Sequence, residues 1–296
     1  MRIGYACLAV GVVHTTMKRC ILKNVNEDKL LNLTAYNLNS LENIIDYNIE
    51  NNIKLFRISS NLIPFGSNSV NSILWWDIFY NDFLKIGEKI KENGIRVSMH
   101  PGQYTVLNSP NKDVVHRAIK DLTYHTRVLD TLGMKNDSKI VLHIGGVYND
   151  KVNSIRRFIT NYSYLDDSVK KRLVIENDHK LYNIYDVLEI GTKLNIPVIF
   201  DNLHNKVNPC YDKGDDFYWI SECRRTWKEN DGSQKIHYSQ QDSSKRQGAH
   251  SSTIDIDEFI DFYKKLGRDD IDIMLEVKDK NLSAIKCINA ISSENI

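Results

Sequence analysis

Five cysteines, an odd number with no C-x-x-C pair, give no basis for a disulfide framework or a cysteine zinc site. An excess of charge of one sign is also missing: 39 lysines and arginines face 38 acidic residues, a formal net charge of +1. No global field marks a nucleic-acid partner, so any basic patch has to be local. No apolar run reaches the length of a membrane span. The stretch from Met1 to Leu8 lacks the layout of a signal peptide. Together these absences point to the reducing cytoplasm, with no membrane partner. No G-x-G-x-x-G or Walker pattern follows an apolar run, which weighs against a nucleotide-binding open sheet. There is no low-complexity segment and no short-period repeat.

What is present is a chain of 296 residues, 42% hydrophobic and 26% charged, enough for one large α/β domain or two small ones. Short β-branched runs alternate with amphipathic stretches. The pattern predicts strands over 2–8, 54–59, 95–100, 139–144, 172–176, 196–201, 234–238 and 272–277. Helices are expected over 40–51, 75–93, 113–132, 151–164, 167–171, 182–194, 216–228, 257–266 and 282–291. Gly94, Gly133 and Gly267 close three of them. Alternating βα units imply a parallel sheet. With eight such units and no composition break, the expectation is a (β/α)8 TIM barrel, one domain over 1–296.

In such barrels the chemistry sits at the C-terminal ends of the strands. Those ends read Tyr5, Ser59 with Ser60, His100, His143, Glu176, Asp201 with His204, His237 and Glu276. Glu176 and Glu276 interrupt apolar strands, which is costly unless they are paired or bind a cation. Taken singly, each histidine is as readily a core or surface residue, and Asp201 as readily a helix N-cap. As a set they point to divalent metal. Mixed imidazoles and carboxylates suit manganese, iron or zinc better than calcium or magnesium. Their number exceeds the needs of one ion, so a two- or three-metal cluster is expected, of the kind that serves in-line displacement at phosphate. Lys235 shares a strand face with His237. Beside cations it would have to be carboxylated or a neutral amine. His14 and His179, in loops, stay undecided, while His116 and His125 read as structural or solvated.

Two loops carry local positive charge, one with Lys18 and Arg19, the other with Lys245 and Arg246 before His250. They could neutralise phosphates or be ordinary solvated loops. Between them His100-Pro-Gly-Gln-Tyr104 puts an amide and a phenol after a tight turn. That pair suits a wedge into a base stack, with packing or substrate orientation as alternatives.

These residues carry a resemblance. The sequence resembles the UV damage endonucleases (UvsE/UVDE type), which are related in fold to endonuclease IV and the xylose isomerase-like barrels. The match spans nearly the whole chain. It rests on Ile3-Gly-Tyr-Ala-Cys7, Phe56-Arg-Ile-Ser-Ser-Asn-Leu-Ile-Pro64, Ser98-Met-His-Pro-Gly-Gln-Tyr104, Leu142-His-Ile-Gly-Gly146, Val174-Ile-Glu-Asn-Asp178, Phe200-Asp-Asn-Leu-His204, Lys235-Ile-His237 and Met274-Leu-Glu-Val-Lys278. The resemblance implies metal-dependent incision of UV-damaged double-stranded DNA on the 5′ side of a photoproduct, leaving a 3′-hydroxyl and a 5′-phosphate. It implies two or three divalent ions, manganese foremost with zinc or magnesium as alternatives. His100, His143, Glu176, Asp201, His204, His237, His250 and Glu276 fall on positions like the family's metal ligands. Lys235 and Glu176 take catalytic positions. Gln103 and Tyr104 match residues that probe the duplex, and Tyr5 one that lines the pocket for the damaged pair. The chain departs from the pattern at Asn68, where the family usually has a histidine ligand, and at Leu8-Ala9, where it has a polar pair. The rival expectations are a sugar isomerase or epimerase on the same barrel, and a damaged-DNA binding protein whose catalysis has decayed.

Overall fold

The computed structural model describes residues 1–210, 214–267 and 270–293. In chain order the elements are β1 (Ile3–Ala6), α1 (Glu27–Glu50), β2 (Leu55–Ile58), α2 (Trp75–Ile78), α3 (Tyr80–Glu92), β3 (Arg96–Met99), α4 (Lys112–Thr131), β4 (Ile140–His143), α5 (Lys151–Ser163), α6 (Asp167–Lys170), β5 (Leu173–Glu176), α7 (Ile184–Leu194), β6 (Val198–Ile199), α8 (Asn202–Val207), α9 (Asp216–Arg224), β7 (Gln234–Tyr238), α10 (Ile256–Leu266), β8 (Ile271–Leu275) and α11 (Asn281–Ser293). The strands pair in parallel in the order β6-β5-β4-β3-β2-β1-β8-β7. The sheet curls into the expected (β/α)8 barrel. Among the described residues no helix is long and apolar enough to cross a membrane.

The seam between β6 and β7 closes differently from the others. One parallel bridge, Asp201 to His237, spans it, with the His237 amide donating to the Phe200 carbonyl at 2.9 Å. β6 ladders with β5 on one side. On the other side its backbone is satisfied by side chains. The Val198 amide donates to Thr226 Oγ1 (2.8 Å), and the Val198 carbonyl accepts from Trp227 Nε1 (2.9 Å). Farther along, the Asn177 amide side chain binds both backbone groups of Asp201, at 2.9 and 3.0 Å. The barrel thus closes through two of the expected ligands.

Strand parity sorts the side chains. On β7, Gln234 donates to the Ile220 carbonyl of α9, and Tyr238 packs on Phe259 of α10, so both face the helices. Lys235 and His237 take the other face, toward the barrel interior. That interior is charged as well as apolar. Arg96 reaches Asp272 (2.8 Å) and the carbonyls of Ser233 and Asp231, closing the N-terminal end.

Beyond shortened ends, such as β6 at Val198–Ile199 instead of 196–201 and α9 ending at Arg224 instead of 228, three elements differ from expectation. The first helix starts at Glu27, capped by Asn26, rather than at residue 40. The buried face of its first half carries Thr34, Asn37 and Ser40 between leucines, which dilutes the hydrophobic period. The stretch over 75–93 is two helices that meet at Phe79. A short helix, α8, follows Asp201 where none was expected. Gly94, Gly133 and Gly267 adopt positive φ after helix ends, as expected.

Replacing Trp227 by phenylalanine keeps the packing and leaves the Val198 carbonyl without its donor. Urea denaturation should show a loss of about 1–3 kcal/mol.

Candidate metal centre

Glu176, the last residue of β5, is the hub. It is 1% exposed, and three imidazoles surround its carboxylate. Oε2 lies 3.2 Å from His237 Nδ1 and 3.4 Å from His100 Nε2, and Oε1 lies 3.5 Å from His204 Nδ1. Glu276, just past β8, sits 3.4 Å from His237 Nδ1 and 4.0 Å from His250 Nδ1. Two groups have candidate ligand atoms mutually within 4.8 Å: His100, His143 and Glu176; and Glu176, Asp201, His237 and Glu276. Glu176 belongs to both groups.

The donor chemistry fits a cation. His143 Nδ1, Glu176 Oε2, Asp201 Oδ2 and His237 Nδ1 are buried without a hydrogen-bond partner. Four such orphans in one place would be costly unless a cation compensates them. Tautomers point the same way. His100 Nδ1 donates to the Pro101 carbonyl (3.0 Å), leaving the Nε2 lone pair facing Glu176. His204 Nδ1 donates to the Asn177 carbonyl (2.8 Å), which likewise leaves Nε2 to ligate.

Asp201 caps a helix and keeps its second oxygen free. Its Oδ1 accepts from the His204 amide (2.7 Å), capping α8, while Oδ2 stays in the cluster. The cap explains why His204 follows three residues later: one helical turn returns the imidazole to within 3.8 Å of the carboxylate.

Electrostatics reflect crowded carboxylates. Burial pushes the Asp201 carboxyl up to about 7, with His204 opposing and Glu176 and Glu276 reinforcing the rise. Despite the cost of burial, Asp201 and then Glu176 hold the His204 imidazolium up to about 11. Burial lowers His237 to about 4, with Arg57 adding to the effect. Burial likewise pushes the Lys235 amine well below its ordinary value, helped by Arg96 and Arg57.

The remaining expected residues spread out. His250 is held by an antiparallel bridge to Gln241 at the edge of the cluster. Asn68 is exposed, its Oδ1 accepting from the Val70 amide (3.0 Å) in a local turn. Tyr5 does not reach the face. It points outward, donates to Asn48 Oδ1 of α1 (2.8 Å), packs edge-on to Phe56, and is fully buried. Gln103 and Tyr104 do stand out in solvent, Tyr104 at 72% exposure. The Tyr104 ring folds over Gly102, where a methyl group would collide with it. Lys18 lies over the Tyr36 ring (3.8 Å), and Lys245 pairs with Asp242 (3.3 Å). Arg19 and Arg246 are exposed.

Sequence reasoning passed over Arg57 as a site residue. Its Nη2 contacts Glu276 Oε1 (2.7 Å) and His237 Nε2 (2.8 Å). The only signal was an arginine inside an apolar strand, Leu55–Ile58. His179, left undecided, lies 5.6 Å from the His204 ring.

Comparison with known proteins agrees with this geometry. The profile of the family described as UV-endonuclease UvdE matches residues 1–295. The UV DNA damage endonuclease of Clostridium perfringens (strain 13 / Type A) is 50% identical over 300 residues, spanning 100% of this chain and 72% of that protein. The crystal structure of SacUVDE superposes with a TM-score of 0.94 at 40% identity, covering 100% of this chain and 99% of that one. Endonuclease IV from Thermus thermophilus shares the fold alone, with a TM-score of 0.58 at 12% identity, covering 99% of this chain and 100% of that one.

Loading manganese at pH 7 should release protons, because His204 and part of the Asp201 population are protonated in the metal-free protein. Both pKa values lie at or above neutrality, so apparent metal affinity should weaken steadily as pH falls from 8 to 5. Calorimetry in buffers of different ionisation enthalpy reads both effects. Glu176→Gln should remove most of the manganese-induced rise in Tm.

Proposed function

The chain belongs to the UV-endonuclease UvdE family, and from that membership we propose a metal-dependent endonuclease that hydrolyses the phosphodiester 5′ to UV photoproducts in duplex DNA. Cyclobutane pyrimidine dimers and 6-4 photoproducts are its lesions, and the products are a 3′-hydroxyl and a 5′-phosphate. The observation that carries the reading is the set of buried, partnerless ligand atoms around Glu176. His100, His143 and Glu176 would hold one ion, and Glu176, Asp201, His237 and Glu276 a second. His204 and His250 flank these and are the candidates for a third. The mixed nitrogen and oxygen donors favour manganese, then zinc, over magnesium. Such ions supply Lewis-acid polarisation of the scissile phosphate and of the attacking water.

The chain's own groups do the rest. Arg57 holds Glu276 and His237 in register. Lys235, driven toward the neutral amine by burial, suits carboxylation or proton acceptance. Gln103 and Tyr104 enter the stack beside a lesion that already pairs poorly and turns out at low cost. Arg19 and Arg246, with Lys18 and Lys245 behind them, bind phosphate. The protein works as a monomer in the cytoplasm, at the nucleoid when bound to DNA.

An end-labelled duplex with one thymine dimer, incubated with manganese, tests the reading. A nick 5′ to the dimer supports it. Binding without a nick indicates a decayed damage reader, and sugar isomerisation without either indicates an epimerase. Glu176→Gln should abolish nicking and keep much of the DNA affinity. Tyr104→Ala should weaken binding of the dimer duplex by roughly 1–3 kcal/mol, the stacking of one base.

A further inference from the structure

Beside the metal centre a cleft of about 630 Å³ opens between the loop after β2 and the outer face of α4. Arg19, Arg117 and Lys120 line it, with Asn68 and Tyr104 also on its walls. Arg117 and Lys120 are three residues apart on one helix and so share a face. Arg127 continues that stripe seven residues on, held over the Trp76 ring at 3.9 Å. Arg19, Arg117 and Lys120 are exposed, and none has an ion-pair partner among the described residues. Of the other loop cations, Lys18 lies against Tyr36 and Lys245 pairs with Asp242, while Arg246 is exposed. The cleft has one carboxylate in its lining, Asp121, which is buried and accepts from Thr105 Oγ1 at 2.6 Å.

The cleft is built into the same scaffold as the metal centre. Ser60, in its lining, donates through Oγ to the carbonyl of His100 at 2.8 Å. His125, fully buried on α4, backs that hydroxyl at 2.9 Å through Nε2. The neighbouring Tyr124 donates to the Ser60 carbonyl at 3.0 Å. A strand seated in the cleft therefore has a fixed relation to His100 and to the Tyr104 tip.

We infer that this cleft takes the sugar–phosphate backbone of the DNA strand flanking the lesion, with Arg117 and Lys120 neutralising its phosphates and Tyr104 at the lesion side. The inference rests on the endonuclease reading and goes beyond it. It moves part of the phosphate contact from the loops to a helix face. Three uncompensated cations around one cavity repel one another, and a polyanion relieves that repulsion while releasing its own counterions.

The test measures binding of the manganese-loaded protein to a fluorescent dimer-containing duplex across a salt series. The double variant Arg117→Gln/Lys120→Gln is compared with Lys135→Gln/Lys193→Gln, which loses the same charge away from the cleft. The cleft variant should bind about tenfold or more weakly and lower the slope of log K against log salt by about two, at roughly 0.9 per phosphate contact. The control should match wild type. Equal slopes for both variants, or equal losses in both, overturn the inference while wild-type nicking leaves the endonuclease reading intact. A wild type that neither binds nor nicks the duplex overturns both. Circular dichroism of each variant checks that it is folded.

Discussion

The constraint on which the mouth of the barrel depends is that buried charge must be compensated. From its N-terminal end upward the interior holds Arg96 with Asp272, then Lys235, then Arg57 with Glu276, then His237 with Glu176. Arg96 with Asp272 and Arg57 with Glu276 are paired within the chain. The upper level holds three carboxylates whose protein partners leave Glu176 Oε2 and Asp201 Oδ2 unsatisfied. The Nε2 lone pair of His100 turns toward the same space. A barrel filled with aliphatic layers would be easier to fold. This one accepts a polar interior, and its upper end gathers donor atoms of the kind that suit a cation.

Much of this could be read from the residues, because the two periodicities that organise a barrel leave direct traces. Short β-branched runs locate the strands, and the residue ending each run locates the mouth. Parity put Lys235 and His237 on one face correctly. Parity was not applied to Tyr5, which ends up among the helices with its hydroxyl on Asn48. The first half of α1 was missed because its packed face is polar: Asn37 spends its amide on the backbone of Lys18 and Leu62. Arg57 was quoted as part of a motif, but its role needs Glu276 and His237, which lie about two hundred residues away and meet it only after closure.

Recognition was the least legible layer. The composition is balanced, and the sequence drew attention to loops rich in lysine and arginine. Whether a cation is free depends on partners that sequence does not display. Lys18 lies against an aromatic ring and Lys245 pairs with an aspartate, while Arg117 and Lys120, on the predicted helix over 113–132, face an open cleft. The Gln103-Tyr104 tip was easier, since an amide and a phenol after Pro101-Gly102 have little apolar surface around them to hide in.

At the seam between β6 and β7, binding of a cation and the integrity of the barrel would be coupled. Its single backbone bridge joins Asp201 to His237, and both residues belong to the same ligand group. An ion held there would act as a rivet across this join. Without it, mutual repulsion among the carboxylates pulls at a joint held by one ladder bond and a few side chains. Amide hydrogens along β6 and at His237 would then exchange ahead of those in β1 and β2, whose ladders run over three and four residue pairs.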